Sequence, residues 1–231
     1  IPDSNKLYSK NQNIEFYDDT LVVLNVKKLP FEFSENYIVK RIFDIIFSII
    51  VCLFILTWLV PILWILVKIE SKGPLIFSQK REGLDGRKFV CYKFRSMKLN
   101  TLSDKVHAVE NDIRVTRIGS FIRKTSIDEL PQFLNVIKGD MSVVGPRPHL
   151  PSLSSEYQKD VDDYFKRHAV KPGITGLAQV SGYRGEIKKR SDIKNRVRLD
   201  IFYIENWSFL LDIKIILMTV FNVFKGEENA Y

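Results

Sequence analysis

Cysteine and histidine are scarce in this chain, and so are the site types that depend on them. Its 231 residues include two cysteines, Cys52 and Cys91, and three scattered histidines. This set provides neither a disulfide framework nor a Cys/His zinc site. We therefore expect the protein to fold in a reducing compartment.

Common nucleotide-binding and hydrolase motifs are missing as well. The chain has no P-loop, no G-x-G-x-x-G fingerprint, no G-x-S-x-G elbow and no internal repeat. A D-x-x-D-G metal helix, which a different class of phospholipid head-group transferase would need, is also absent. These absences argue against P-loop phosphotransfer, Rossmann-type dinucleotide chemistry and serine hydrolysis.

Acidic residues are outnumbered by basic ones. The chain has 27 Asp and Glu against 35 Lys and Arg, which gives a formal net charge of +8. A basic excess favours anionic partners, which include nucleic acid, acidic lipid head groups and phosphorylated substrates. Composition alone does not choose among them.

The strongest feature that is present is an apolar run at residues 42–67, whose only charged residue is Asp44. A membrane-spanning helix needs about 20 apolar residues, so this run predicts a membrane segment. Basic residues flank both ends, so the flanks do not orient a single span. Pro61 would bend or break a helix in the second half. Two hypotheses stay open: a re-entrant helix-break-helix that enters and leaves on the cytoplasmic side, and a spanning helix with a proline kink.

An adjacent pair of acids, Asp128 and Glu129, stands in the central stretch, residues 126–148. Ser126 and Glu129 fit a capping box, whereas Pro131 is better accommodated if Asp128 is the N-cap. Both alternatives put the pair at a helix N-terminus, where the dipole stabilises anions and phosphate binds readily. The simpler alternative is a pair of ordinary helix acids.

Arg147 lies between Pro146 and Pro148 at the end of the same stretch. Two prolines stiffen this loop, which lowers the entropy lost when the planar guanidinium binds a phosphate or carboxylate. A structural arginine that bridges two loops is the alternative.

Basic residues are dense at positions 72–98. Residues 75–79 and 88–94 predict two strands around a glycine-containing hairpin turn. Lys93 and Arg95 are two positions apart, so we expect them to share one face and point into a phosphate site. A solvated basic face beside anionic lipid is the alternative.

The C-terminal part carries weaker signals. Residues 174–181, which include Gln179, resemble a strand, and Tyr183 and Arg184 follow in a loop where a nucleobase could stack. Residues 208–224 form an amphipathic segment after Trp207, which suits an interfacial anchor. Packing of this segment on the domain core is the alternative.

Six segments in order resemble one family, the bacterial sugar transferases, which are monotopic polyprenyl-phosphate phosphoglycosyl transferases. They cover about residues 38–224, and the ordered set is specific although a single motif such as PRP is weak. The segments are KRIFDIIFS (40–48), GPLIFSQKREG (73–83), YKFRSM (92–97), IRKTSIDELPQFLNVIKGDMSVVGPRP (122–148), RHAVKPGITGLAQVSGYRGE (167–186) and DIFYIENWSFLLDIKIILMT (200–219).

The resemblance implies a reaction. A hexose-1-phosphate moves from a nucleotide diphosphate sugar, here expected to be a UDP-hexose, to undecaprenyl phosphate, and UMP is released. This is the first membrane step of exopolysaccharide, capsule or O-antigen synthesis. Nucleic acid is not an expected partner, whereas membrane lipid is, and a homo-oligomer stays open. A catalytically inactive membrane scaffold or polyanion-binding module is the alternative function.

The resemblance also implies roles for individual residues. Asp128 is the expected covalent nucleophile, and Glu129 is its partner and the ligand of Mg²⁺. The resemblance implies phosphate binding by Arg147, with Pro146 and Pro148, and by the cations Arg123 and Lys93. From the residues themselves we add Arg95 to the phosphate site, and we expect Arg184, Tyr183 and Gln179 to bind the nucleotide.

The implied fold is α+β and mainly helical, with small β elements and an N-terminal re-entrant membrane helix. We expect residues 1–36 to be a linker or the tail of a preceding domain, and residues 37–71 to be the re-entrant helix-break-helix. Residues 72–231 would form the transferase domain with interfacial amphipathic helices, on the cytoplasmic face of the bacterial inner membrane. Because the chain begins with Ile1, we also expect it to be part of a longer product.

Overall fold

The computed structural model describes residues 12–17, 21–26, 29–99, 112–161, 163–185, 187 and 189–225, and this part is mainly helical. The helices are α1 (Ser34–Val51), α2 (Thr57–Glu70), α3 (Arg117–Lys124), α4 (Gln132–Lys138), α5 (Pro151–Asp160), α6 (Leu177–Val180), α7 (Arg190–Glu205) and α8 (Phe209–Lys225). The strands are β1 (Gln12–Tyr17), β2 (Leu21–Val26), β3 (Ile76–Glu82), β4 (Lys88–Phe94), β5 (Ser142–Val144) and β6 (Gly173–Thr175). The predicted fold class, mainly helical with small β elements, is confirmed.

The strands form three two-stranded sheets. β1 pairs with β2 and β3 with β4, both antiparallel, while β5 and β6 are parallel. The predicted β3–β4 hairpin is confirmed, with its turn at Leu84–Gly86. The predicted strand over 174–181 is wrong beyond Thr175, because the chain turns at Gly176 and enters α6. Within the predicted tail at residues 1–36, the structure describes β1, β2 and residues 29–36, and residues 1–11, 18–20 and 27–28 lie outside the described residues.

The apolar run lies in one helical stretch, Ser34–Glu70, which is long and apolar enough to cross a membrane by length and composition. Of the two alternatives left open at Pro61, a helix break is not present, since α2 continues through this residue. The irregularity is instead a π-helical turn at Cys52–Leu56. Pro61 cannot donate to the carbonyl of Thr57, and a widened turn just before Thr57 lets the hydrogen-bond ladder adjust there.

One face of this helical stretch is buried along its whole length. On α1 it buries polar residues, and on α2 it buries leucines and a valine against the domain; the set is Lys40, Asp44, Ser48, Val51, Leu56, Leu59, Leu63 and Val67. The opposite face is apolar and exposed, for example at Phe54, Trp58 and Ile69. An exposed apolar surface of this size is typical of a membrane or protein contact.

Both ends of the stretch are attached to the same domain. Arg41 donates through Nη1 and Nη2 to the carbonyls of Val136 and Ile137 at the C-terminus of α4, at 2.6 and 3.0 Å. The carboxylate of Glu70 accepts from the main-chain N–H groups of Arg117 and Ile118 at the start of α3. Each charge complements the helix dipole that it contacts.

A buried polar cluster joins α1, α7 and α8. Asp212 accepts from Lys40 Nζ at 2.6 Å, from the Tyr203 hydroxyl at 2.7 Å and from Trp207 Nε1 at 3.1 Å. Trp207 is therefore a core residue and not the interfacial anchor that the sequence suggested. α8 packs on the core through its inner face, and its outer face exposes apolar side chains such as Leu210 and Phe221.

Candidate active site

The acids Asp128 and Glu129 lie on a 3-10 turn, Ile127–Glu129, between α3 and α4. Ser126, directly before this turn, has a left-handed backbone with φ of 60°. This conformation is uncommon for a residue with a side chain, and such strain is often found at functional sites. It reverses the chain after α3 and directs both acids inward, so that their relative exposures are only 8% and 5%.

Neither predicted helix cap is correct. Ser126 makes no capping hydrogen bond through its side chain, and Asp128 lies inside the 3-10 turn. Pro131 is itself the N-cap of α4, a position at which its missing N–H costs no hydrogen bond within the helix. The acids thus precede α4 by one turn and are not part of its first turn.

Glu129 is surrounded by cations from three separate segments. Its Oε1 accepts from Lys93 Nζ and from Arg147 Nη2, both at 2.7 Å, and its Oε2 accepts from Arg147 Nη1 at 3.3 Å. Arg184 Nη2 lies 3.7 Å from the same Oε2 and donates to the Ser126 hydroxyl at 2.7 Å. The predicted partners Lys93, Arg147 and Glu129 therefore meet in one site, and Arg184 joins them.

The two neighbouring acids have opposite protonation tendencies. Burial raises the pKa of Asp128 to about 6, against the opposing charge of Lys93. Burial also disfavours ionisation of Glu129, but Arg147, Lys93 and Arg184 outweigh it and hold the pKa of Glu129 well below its usual range. Glu129 is thus a permanent anion, while Asp128 is a desolvated carboxylate that carries its charge near neutral pH.

Lys93 reaches the site because of the register of the β3–β4 hairpin. It pairs with Phe77 in the sheet, and the side chain of Asn135 on α4 bonds to the main chain of β4 at Tyr92 and Val90. These bonds fix the hairpin against the helix that follows the acids. Lys93 therefore contacts Glu129 from a strand whose position is fixed.

The Pro-Arg-Pro loop is held by main-chain hydrogen bonds. The Gly145 N–H donates to Thr175, and the Pro146 carbonyl accepts from Gly173, both at 2.9 Å. Gly145 and Gly173 approach so closely that a Cβ on Gly173 would lie 2.1 Å from the Gly145 nitrogen. Only glycine permits this contact, and the loop leaves the β5–β6 pair in a fixed direction. The predicted stiffness of the Arg147 loop thus has a structural cause beyond its prolines.

A buried ion pair between Arg167 and Asp200 supports the Pro-Arg-Pro loop, and the sequence did not indicate it. Arg167 donates to Asp200 through Nε and Nη2 at 3.0 and 2.8 Å, and through Nη2 to the Arg147 carbonyl at 2.6 Å. Its Nη1 lies 2.9 Å from Nδ1 of His149, which must accept because a guanidinium only donates. Burial lowers the pKa of His149 well below its usual range, so the ring is neutral.

Arg95 does not share the site with Lys93. Its guanidinium donates to the carbonyls of Ser71 and Lys72, at 2.7 and 2.8 Å, and so caps the end of α2. The prediction failed because β4 ends at Phe94, and the strand alternation does not extend to the next residue.

The remaining predicted residues lie at different distances from the acids. Arg123, at the end of α3, lowers the pKa of Asp128 through its charge and so is close to it. Gln179 lines a cavity that also borders Glu129, and its Nε2 donates to the Ile174 carbonyl at 3.2 Å. The Tyr183 hydroxyl accepts from Asn195 of α7, so this ring is held on α7, and its stacking on a nucleobase stays a prediction.

The donor set can be compared with the needs of a Mg²⁺ ion. Within the described residues, no three His, Cys, Asp or Glu side chains form a metal-ligand cluster. Mg²⁺ commonly binds one or two carboxylates and takes its other ligands from water and substrate phosphates. Asp128 and Glu129 meet that requirement, provided that Glu129 exchanges one of its contacts with Lys93 or Arg147 for the ion.

A buried acid pair within a cluster of cations, on a domain that carries a long apolar helix, is typical of membrane-associated proteins that handle phosphorylated substrates. Residues 35–226 match the family model described as bacterial sugar transferase. The chain therefore belongs to the bacterial sugar transferase family, and the predicted resemblance is confirmed.

The relatives that the chain matches differ in the sugar that their names state. A Klebsiella pneumoniae UDP-glucose:undecaprenyl-phosphate glucose-1-phosphate transferase is 49% identical over 200 residues, which are 85% of this chain and 42% of that protein. An Aeromonas hydrophila UDP-N-acetylgalactosamine-undecaprenyl-phosphate N-acetylgalactosaminephosphotransferase is 43% identical over 164 residues, 70% of this chain and 38% of that protein. The exopolysaccharide production protein PSS of Rhizobium leguminosarum is 42% identical over 190 residues, 80% of this chain and 94% of that protein. The chain thus spans less than half of the first two relatives.

Proposed function

We propose that this chain transfers a hexose-1-phosphate from a UDP-hexose to undecaprenyl phosphate and releases UMP, as the first membrane step of exopolysaccharide, capsule or O-antigen synthesis. The observation that carries this proposal is the acid pair, in which a desolvated Asp128 neighbours a Glu129 that is ion-paired with Lys93 and Arg147. The names of the relatives, which state UDP-sugar donors and undecaprenyl phosphate, support it further.

In the first step, a carboxylate oxygen of Asp128 attacks the sugar-bearing phosphorus of the donor. A P–O bond to Asp128 forms, the P–O bond to UMP breaks, and its electron pair leaves on the UMP phosphate. A carboxylate that is buried and still ionised near neutral pH suits this role, because it is poorly hydrated and needs no separate base.

In the second step, an oxygen of the acceptor phosphate attacks the phosphorus held on Asp128. The new P–O bond produces the lipid diphosphate sugar, and the broken bond returns the carboxylate of Asp128. Neither displacement consumes a proton, so the charge of the phosphoryl oxygens must be stabilised by fixed cations. Lys93, Arg147 and Arg184, all within 3.7 Å of Glu129, would supply that charge.

Mg²⁺ is proposed as the cofactor, with Glu129 as its ligand from this chain; when bound, it would neutralise diphosphate oxygens of the donor. The stiff loop around Arg147 would orient the same oxygens. Pro146 and Pro148 act only through the position that they give to Arg147.

The two attachments of the helical stretch support a re-entrant topology. Arg41 and Glu70, near its two ends, contact one folded domain. A segment that crossed the bilayer once would carry these residues to opposite sides. We therefore assign residues 37–71 to a re-entrant membrane segment and residues 72–231 to a transferase domain on the cytoplasmic face of the bacterial inner membrane. The bend is expected at the π-helical turn, Cys52–Leu56, where a helix deforms most easily.

A donor panel tests the function. The chain in lipid nanodiscs is incubated with Mg²⁺, undecaprenyl phosphate and UDP-glucose, UDP-galactose or a UDP-N-acetylhexosamine. UMP release and a sugar-bearing lipid are expected with one donor or a subset, and neither with Asp128→Asn. If no donor yields UMP, the enzyme function is wrong and a scaffold or polyanion-binding role is favoured.

A further inference from the structure

An apolar groove of about 300 Å³ borders Glu129 of the acid pair. Its walls come from α1, from the start of α4 and from α8, and they include Phe47, Val51, Phe133, Val220 and Val223. The groove is thus formed between the membrane helix and the domain. The reaction steps described above involve Glu129 and Arg184 at its edge and give no role to its apolar walls.

The groove has one polar end. Ser126, Glu129 and Arg184 border it there, and the Ser126 hydroxyl and the Arg184 guanidinium are 2.7 Å apart. Arg184 Nη2 also lies 3.7 Å from Glu129 Oε2, so its charge is held at this end of the groove. The polar end therefore offers a cation and a hydroxyl to an anionic head group, while the rest of the groove suits an apolar tail.

A sugar or a nucleobase fits these walls poorly. Several hydroxyls or amide groups would need hydrogen-bond partners, and a buried polar group without one is unfavourable. Two of the polar side chains in the wall, Thr175 and Thr219, are bonded to each other at 2.6 Å, and Thr219 also bonds to the Ile215 carbonyl. The wall favours hydrocarbon.

The groove also leads toward the apolar surface of the molecule. Ile55 of the π-helical turn and Phe224 of α8 line it, and Phe224 is 86% exposed. Leu53 and Phe54 of the same turn belong to the exposed apolar face of the helical stretch. A long hydrocarbon chain could leave the groove here without crossing a polar surface.

We infer that this groove binds the phosphate-proximal isoprene units of a polyprenyl phosphate acceptor, with the acceptor phosphate beside Arg184 and Ser126. The inference rests on the proposed function, since it assigns the acceptor of that reaction. An acceptor held in this way has a phosphate oxygen next to Asp128. That oxygen forms the new bond to phosphorus as the bond to Asp128 breaks.

A filled groove tests the inference. Val220→Trp places a large ring in the groove, and Leu217→Trp adds the same ring elsewhere on α8; these positions are 49% and 65% exposed, so both variants should fold. We expect the KM for undecaprenyl phosphate to rise about tenfold or more with Val220→Trp, since pocket contacts of this size change specificity by that order. Leu217→Trp should match the wild type. UMP release in a single turnover without acceptor should be equal in all three proteins.

Chain length provides a second test that needs no variant. Geranyl, farnesyl and undecaprenyl phosphate share a head group, so kcat/KM should rise steeply from the first to the second and change less afterwards. Equal acceptor kinetics of Val220→Trp and the wild type, or kcat/KM independent of chain length, would overturn the groove assignment while UMP release persists. If the wild type releases no UMP from any donor, the proposed function fails, and this inference fails with it.

Discussion

The guanidinium of Arg167 donates a hydrogen bond of 2.6 Å to the main-chain carbonyl of Arg147. The same guanidinium is paired with Asp200 at 2.8 Å, and both side chains are almost fully buried. The position of Arg147 over Glu129 therefore depends on an ion pair that itself touches neither acid. Arg167 and Asp200 are positioning residues for the phosphate-binding loop.

Replacement of Arg167 by lysine should lower kcat more than it changes KM for the donor. Lysine keeps the charge but not the planar fork, so it cannot hold Asp200 and the Arg147 carbonyl together. We expect kcat to fall at least about tenfold, because a slightly misplaced phosphate ligand affects the transition state most. Steady-state kinetics at varied donor concentrations measure the changes in kcat and in KM separately.

The neighbouring Lys166→Ala serves as the control, since the Lys166 side chain is exposed and pairs with the exposed Asp163. Its kinetics should equal those of the wild type. If Arg167→Lys lowers the melting temperature but leaves kcat unchanged, Arg167 has only a structural role.

The half-reaction with the donor should depend on pH through Asp128. Because burial raises the pKa of this carboxyl to about 6, its nucleophilic anion is lost as the pH falls below that value. The single-turnover rate of UMP release without acceptor should be level above about pH 7 and fall about tenfold per unit well below 6. Omission of the acceptor is essential, because a phosphate monoester also titrates near pH 6. A rate that stays constant from about pH 5 to 8 would contradict the nucleophile assignment.

Asp128→Asn should be inactive and yet more stable than the wild type above pH 6. The folded state disfavours the charged carboxylate, so ionisation of Asp128 destabilises the fold once the pH exceeds the unfolded pKa of 3.8 and fully above the folded value of about 6. The gain should reach up to about 3 kcal/mol at pH 8 and disappear near pH 4. Chemical denaturation at several pH values measures it, with Asp163→Asn as the exposed control. If Asp128→Asn is less stable than the wild type at pH 8, this prediction is wrong.

Glu129→Gln should have the reverse effect on stability. Lys93 and Arg147 lose their counter-charge in a largely buried site, which we expect to cost about 3 kcal/mol. If Glu129 is the Mg²⁺ ligand, the metal concentration for half-maximal UMP release should also rise. Glu156→Gln, at an exposed position of α5, is the matched control. An unchanged metal titration would remove Glu129 from the metal site.

The parts of the site that were predictable are those encoded in short stretches. Asp128 and Glu129 are adjacent, Arg147 is confined between two prolines, and Lys93 follows from strand alternation within one hairpin. The same alternation failed for Arg95, because the end of β4 depends on how the chain packs against α2 and not on a local pattern.

The support of the site was not predictable, because it joins distant segments. Arg167 lies on a 3-10 turn, Asp200 lies 33 positions later on α7, and neither sits in a spacing typical of a site. The helix caps failed for a related reason. The left-handed turn at Ser126 is maintained by the surrounding fold, which outweighs the local preference for a capped helix start.

Thiol labelling should place residues 35 and 72 on the same side of the membrane. Both positions are exposed and flank the helical stretch that Arg41 and Glu70 attach to the domain. Glu35→Cys and Lys72→Cys are made separately in a background with Cys52→Ala, while the buried Cys91 is retained. A membrane-impermeant maleimide should label both in inverted membrane vesicles and neither in intact cells. Labelling from opposite sides would mean a single span, and the attachments at Arg41 and Glu70 could not then both exist in the membrane.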